Sequence, residues 1–370
     1  MFLVPTRRTA ALVTFAVTAT LLAGSPFPAE PAGASPVRSR TFQNPLNPYP
    51  DPSLTHHHGR YYLTSTGVDR INVWHSASLA GLATAAPTTI WQDSTPGRNR
   101  DLWAPALFRL DSGAGPRWYV YYTAGDGTDA SHRMYVLESL RDNPLGPYAF
   151  KARIADRGEY AIDGEPFSHA GRWYFAWSSP GRGLASGPQQ VYAAAMADPW
   201  TVTGPVAALP VEAGGCREVR EGPTTLARGG RTFLTYSVCD TARPDYQVWA
   251  ISLPATGDPL RAADWTRHPR PVLARDEAAG VWGPGHHSFF TSPSGRQVWI
   301  AYHAKDTAEY TVHRRTTRAQ PVEWAADGAP VVPAPVALGV PLALPDGDRG
   351  VVRPRAGGVS AGRVRPVPAG

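Results

Sequence analysis

EGPTTLARGGRTFLTYS, residues 221–237, reads as two β-prone runs folded back on a Gly-Gly turn. A carboxylate, Glu221, opens the first run, and the second is rich in Phe, Leu, Thr and Tyr. The same plan recurs as DPSLTHHHGRYYLTSTG from Asp51, APALFRLDSGAGPRWYVYYTAG from Ala104, DGEPFSHAGRWYFAWSS from Asp163 and GPGHHSFFTSPSGRQVWIAYHA from Gly283. The five units lie roughly 50 to 65 residues apart, a period that suits propeller blades better than a short-repeat solenoid. Each carries a further β-prone run: INVWHS, HRMYVLES, QQVYAAAM, DYQVWAIS and YTVHRR. No segment sustains a helical period over three turns, so the body is expected to be an all-β, five-bladed propeller.

Around this body, residues 1–34 read as an export signal. Arg7 and Arg8 precede an apolar run from Ala10 to Ala23, too short to favour a membrane span, and Ala32-Gly33-Ala34 offers small residues for cleavage. A secreted, extracellular protein follows, with the propeller over 35–345 and a disordered tail over 346–370, where Gly, Pro and Arg lack apolar periodicity. The formal charge of +6 sits largely at the ends: two Arg in the leader, and five Arg against two Asp after Leu344. The body is close to neutral, so neither nucleic acid nor a membrane surface is an expected partner, and the chain is expected to act as a monomer. In an oxidising compartment Cys216 and Cys239 can pair, because the 228/231 turn register sets Cys239 opposite Arg220, with Cys216 on the entering loop. Two buried thiols are the alternative.

Asp51, Asp163 and Glu221 stand at the starts of innermost strands, which in a propeller line the central channel. Three carboxylates brought together there repel one another, a cost that stability alone does not explain. Two can hydrolyse a glycosidic bond as acid and base, with the third raising the acid's pKa. The same three acids can instead hold a cation.

YPDPS at Asp51, LWAPAL at Leu102, AIDGEPF at Asp163, REGP at Glu221 and GPGHHSFF at Gly283 together resemble glycoside hydrolase family 43, the inverting five-bladed propellers, over essentially the whole mature chain. GPGH-SFF, HRMYVLES and RAQPVEWAADGAP are similar to its exo-acting α-L-arabinofuranosidases of 1,5-linked arabinan. The resemblance implies Asp51 as general base, Asp163 as pKa modulator and Glu221 as general acid. It implies a channel-facing His286 that helps hold a hydrated Ca2+ or Na+, with no cofactor for the chemistry, and Arg318 against the sugar or the modulator. Trp103 either stacks on a sugar face or packs between blades. The implied partner is plant arabinan or arabinoxylan. A β-xylosidase or endo-arabinanase on the same scaffold, or a silent sugar-binding propeller, are the alternatives.

Four positions depart from the family pattern: Glu165, Arg220, His287 and Ala106. Glu165 follows Asp163 by two and so shares its face of the strand, where a small or uncharged residue is usual. It is expected to lean away from the site. Adjacent strand residues point oppositely, so Arg220 is not expected to touch Glu221. His56–His58, before Gly59, are expected at an exposed hairpin tip.

Overall fold

The computed structural model describes residues 37–211 and 215–353. The expected export signal and the tail beyond 353 lie outside the described residues. Strands account for nearly all the regular structure, with only short 3-10 turns beside them, and no helix among the described residues is long and apolar enough to cross a membrane. The protein is a five-bladed β-propeller.

Blade one comprises β1 (Ser53–His57), β2 (Arg60–Thr64), β3 (Arg70–Ser76) and β4 (Pro87–Gln92). Blade two comprises β5 (Arg100–Asp111), β6 (Pro116–Gly125), β7 (Arg133–Ser139) and β8 (Tyr148–Ile154). Blade three comprises β9 (Ile162–His169), β10 (Arg172–Ser179), β11 (Gln190–Asp198) and β12 (Thr201–Ala208). Blade four comprises β13 (Arg220–Arg228), β14 (Arg231–Val238), β15 (Gln247–Pro254) and β16 (Thr266–Arg267). Blade five has three, β17 (Trp282–Thr291), β18 (Val298–Lys305) and β19 (Thr316–Pro321). In every blade the strands pair antiparallel in chain order.

Apolar clusters fill the spaces between blades. Val73 of blade one meets Val120 and Leu137 of blade two, and Tyr121 of blade two meets Phe175 and Trp177 of blade three. Second strands such as β6 and β14 are buried on both faces, so they read as continuous apolar runs rather than alternating ones. Residues 44–47 run alongside β19 where blade five lacks a fourth strand. Leu46 N–H donates to Thr317 O at 2.8 Å, and Thr317 N–H to Asn47 O at 2.9 Å. Thr41–Phe42 pairs with Leu342–Ala343, so both ends of the body close the ring.

The tail boundary at 346 needs correction. The Asp346 carboxylate pairs with Arg296, and its carbonyl accepts from Ser294 N–H at 3.0 Å. Asp348 accepts from Leu79 N–H at 2.8 Å, and 352–353 pairs with 37–38. These are contacts of acids and backbone, which a search for apolar periodicity does not detect.

Cys216 and Cys239 are bridged. The register there is Arg220 opposite Val238, one residue from the expected pairing with Cys239. A bulge between Glu221 and Thr224 absorbs the difference.

Candidate active site

At or near the start of each innermost strand lies a pocket-side residue in the left-handed region: Asp51 (φ 58°), Ala104 (43°), Asp163 (58°), Gly222 (54°) and His286 (41°), with Asp101 and Gly283 taking the same conformation three residues before Ala104 and His286. This φ is costly for side chains other than Gly, Asn and Asp, and the neighbouring blade supports it with hydrogen bonds. Ala104 N–H donates to Thr66 Oγ1 at 2.9 Å, Asp163 N–H to Thr123 Oγ1 at 3.2 Å and His286 N–H to Ser237 Oγ at 2.8 Å. The kink turns these side chains and those just before them into one pocket of about 480 Å³ at the mouth of the channel. Asp51, Trp103, Asp163, Glu221, His286 and Arg315 are among its walls.

The three acids therefore converge, but not from one repeat position. Glu221 precedes the left-handed residue of its blade, as Trp103 and Ile162 precede theirs, whereas Asp51 and Asp163 are the left-handed residues themselves. Gly222 takes that conformation in blade four, and its N–H donates to Asp163 Oδ2 at 3.2 Å.

Asp51 is buried, and burial alone pushes its carboxyl up. The charges of His286 and Arg315 and the hydrogen bond from His303 overcome that and hold it well below the usual carboxylate range. His303 Nδ1 lies 2.9 Å from Asp51 Oδ1, Arg315 Nη1 3.4 Å and His286 Nδ1 3.7 Å. Thr66 donates its hydroxyl to Asp51 Oδ2. Asp51 is thus an ionised, fully oriented acceptor.

Asp163 and Glu221 go the other way. Burial is the largest cause for both, and the Asp163 carboxyl is raised further by the charges of Glu221 and Asp51. For Glu221, burial and Asp51 outweigh the hydrogen bond from Tyr246, pushing it up to about 7. Ligand atoms of Asp163, Glu221 and His286 lie within 4.8 Å of one another, so the two acids titrate as a pair rather than singly. Asp163 accepts the Gly222 N–H, which favours its ionised form. Glu221 accepts from Tyr246 Oη at 2.7 Å on Oε1, which leaves Oε2 free to carry the proton. Tyr246 reaches that point because Gly285 is bare: a Cβ there would sit 2.2 Å from the tyrosine ring. An ionised acceptor and a raised carboxyl facing one pocket can serve as base and acid in the hydrolysis of a glycoside.

Trp103 lines the pocket and stacks on His132 of its own blade at 3.9 Å between centroids. Arg318 is not in the pocket. It pairs with Tyr302 across β18–β19, is fully buried, and donates to the carbonyls of Ala304 and Lys305. The cation that faces the acids is Arg315, in the loop just before β19. Glu165 lines a separate cavity of about 250 Å³ reached from further along the channel, with Thr224 as hydrogen-bond partner and a carboxyl pushed up to about 8 by burial. Arg220 donates to Gln189 O and Arg217 O, away from Glu221. Ala106 is buried opposite Tyr121, and His287 is buried against Thr235 at 2.7 Å. His58 and Gly59 are exposed at the hairpin tip, while His56 and His57 are half-buried.

Sequence reasoning missed His303, Arg315, Tyr246 and Thr241. A signal existed for the first. Thr123, Ser178, Ser237 and His303 each pair with the residue just before a left-handed position, and Thr66 N–H bonds Pro50 O in blade one. Alignment of the returning strands therefore shows a hydroxyl in four blades and an imidazole in the fifth.

Residues 42–330 match the family described as glycosyl hydrolases family 43. The chain belongs to that family. It is a glycoside hydrolase, and the acid–base chemistry of family 43 needs no cofactor. An extracellular exo-α-(1→5)-L-arabinofuranosidase of Streptomyces avermitilis is 38% identical over 343 residues, spanning 88% of this chain and 69% of its own. A protein of the same description from Streptomyces chartreusis is 35% identical, spanning 75% of this chain and 86% of its own. Among solved structures, an α-L-arabinofuranosidase from Lactobacillus brevis superposes with a TM-score of 0.74 at 28% identity, covering 81% of this chain and 98% of its own.

Proposed function

We propose that this family 43 hydrolase is a secreted, exo-acting, inverting α-L-arabinofuranosidase that releases arabinose from 1,5-linked arabinan or arabino-oligosaccharides. The observation that carries it is the division among the pocket acids, with Asp51 held ionised and the carboxyls of Asp163 and Glu221 raised. The substrate and the extracellular setting rest on the two Streptomyces relatives and their descriptions.

Asp51 accepts a proton from a water, whose oxygen attacks the anomeric carbon from the face opposite the leaving group. Glu221 gives its proton to the departing glycosidic oxygen, so the bond breaks without releasing an alkoxide. Asp163 stays ionised beside Glu221 and keeps that proton on the acid until it is needed. Inversion requires about 6.5–9.5 Å between base and acid to admit the water. Every group in this scheme comes from one chain, and a single copy is expected to suffice.

A Ca2+ or Na+ beside His286 would draw its protein ligands from His286, Asp163 and Glu221. Hard cations take oxygen before imidazole, and in this scheme Glu221 carries the proton while the Asp163 charge serves to keep it there. The residues do not fit a resident ion, and no step uses one.

The test is a panel of nitrophenyl α-L-arabinofuranoside, nitrophenyl β-xyloside and linear arabinan, with the product anomer followed by NMR. Arabinose as the first product, of inverted configuration, is expected. Preference for the xyloside would overturn the substrate, internal fragments the exo action, and a retained anomer the mechanism.

A further inference from the structure

Residues 239–246 connect β14 to β15 beside the pocket, and they touch both ends of the proposed reaction. Tyr246 holds Glu221, as described above. Thr241, five residues earlier, touches neither acid, yet its hydroxyl joins two groups that hold Asp51. Arg315 Nη1 donates to Thr241 Oγ1 at 3.1 Å, and Thr241 Oγ1 lies 3.2 Å from His303 Nε2.

A threonine hydroxyl has one proton to give. Arg315 can only donate, so it takes one of the two lone pairs of that oxygen, which leaves the proton, or the second lone pair, for His303. The ionised Asp51 carboxylate beside Nδ1 calls for the imidazole proton there, and the Thr241 proton then meets the lone pair of Nε2. Nδ1 is the atom 2.9 Å from Asp51 Oδ1. Without the hydroxyl, Nε2 could carry the proton, and Nδ1 would then turn a lone pair to the Asp51 N–H, 3.4 Å away, instead of a proton to the carboxylate.

The surroundings hold the ring neutral and in place. His303 is fully buried, and Tyr246 stacks on it nearly parallel, 6° between planes and 5.4 Å between centroids. Thr241 itself is fixed at its root, because Cys239, two residues before it, is bridged to Cys216.

We propose that Thr241 is a positioning residue for the general base, selecting the His303 tautomer whose Nδ1–H orients Asp51. Blade five carries an imidazole where the other blades carry hydroxyls, and blade four supplies the hydroxyl that sets its proton. The catalytic consequence rests on the arabinofuranosidase reading above; the tautomer itself does not.

The experiment uses the full chain with 15N-labelled histidine and three variants, Thr241→Val, Thr241→Ser and Thr241→Ala. Imidazole 15N spectra should show His303 protonated on Nδ1 in the native protein and Thr241→Ser, and a loss of that state in Thr241→Val and Thr241→Ala. On nitrophenyl α-L-arabinofuranoside, kcat should fall by about tenfold or more in Val and Ala, with KM little changed and Ser recovering most of the rate. An Nδ1-protonated His303 in both Val and Ala would overturn the proposal, as would native kcat in either. If Thr241→Val does not fold, Thr241→Ala and Thr241→Ser decide between hydroxyl and packing. A protein that hydrolyses no arabinofuranoside would fail the functional reading alone, since the spectra would still report the tautomer.

Discussion

Replacing Tyr246 by Phe removes one oxygen and leaves the ring, so His303 keeps its stacking partner. What is lost is the 2.7 Å hydrogen bond to Glu221 Oε1, in a place where both groups are screened from water. That bond favours the ionised acid and is what opposes burial in setting the Glu221 pKa. A hydrogen bond to a charged group contributes about 1.5–3 kcal/mol, and one pKa unit corresponds to about 1.36 kcal/mol, which bounds the shift at about 1 to 2 units. A water that enters beside Phe would recover part of this, so about one unit upward is expected. The sign follows directly: losing a donor destabilises the anion, and Glu221 stays protonated to higher pH. In a pH profile of kcat/KM on nitrophenyl α-L-arabinofuranoside, the basic limb is expected to report the Asp163–Glu221 pair and to fall near 7 for the native protein. In Tyr246→Phe that limb should move up by about one unit. An unmoved limb, or one moved down, would refute the assignment of the limb to Glu221 and with it the acid's role.

Glu221→Gln should be most damaging for natural linkages and partly recovered with a better leaving group, whereas Asp51→Asn should not be; rates on two aryl arabinofuranosides of different leaving-group acidity separate them. Arg315→Gln should raise the Asp51 pKa, because a neighbouring positive charge is removed, and the acid limb of the profile should move up. The Cys216→Ser/Cys239→Ser pair opens a loop of sequence separation 23, so it should lower stability by about 3 kcal/mol on the chain-entropy account, read from denaturant unfolding. Ending the chain at Pro345 should lower the melting temperature, since Asp346 and Asp348 bind Arg296, Ser294 and Leu79; an unchanged temperature would show those contacts contribute nothing.

The propeller was legible because a hairpin with a polar turn and an apolar return strand leaves the same trace each time it recurs. The carboxylates were legible for a related reason, since a repeat that places them at strand starts sends them all to the channel. Arg315 was not, because YTVHRR, the run expected to be the third strand of the fifth unit, is the loop before β19, and Arg318, two residues into β19, offered a better match by motif. Its pairing with Tyr302 sends it into the interior, a consequence of register that a motif does not contain.

The one-residue offset of Glu221 ties these points together. Had the acid stood at the left-handed position, like Asp51 and Asp163, it would have needed the strained φ. Placing Gly222 there instead relieves the conformation, and its N–H binds Asp163 while Glu221 lines the pocket from one residue earlier. The two neighbours thus divide the work. The Gly222 N–H favours the anion of Asp163, and in the proposed scheme that anion keeps the proton on Glu221. Asp51, whose carboxyl is held low by His286, Arg315 and His303, stands apart from that raised pair, and base and acid need just such different environments within one small pocket.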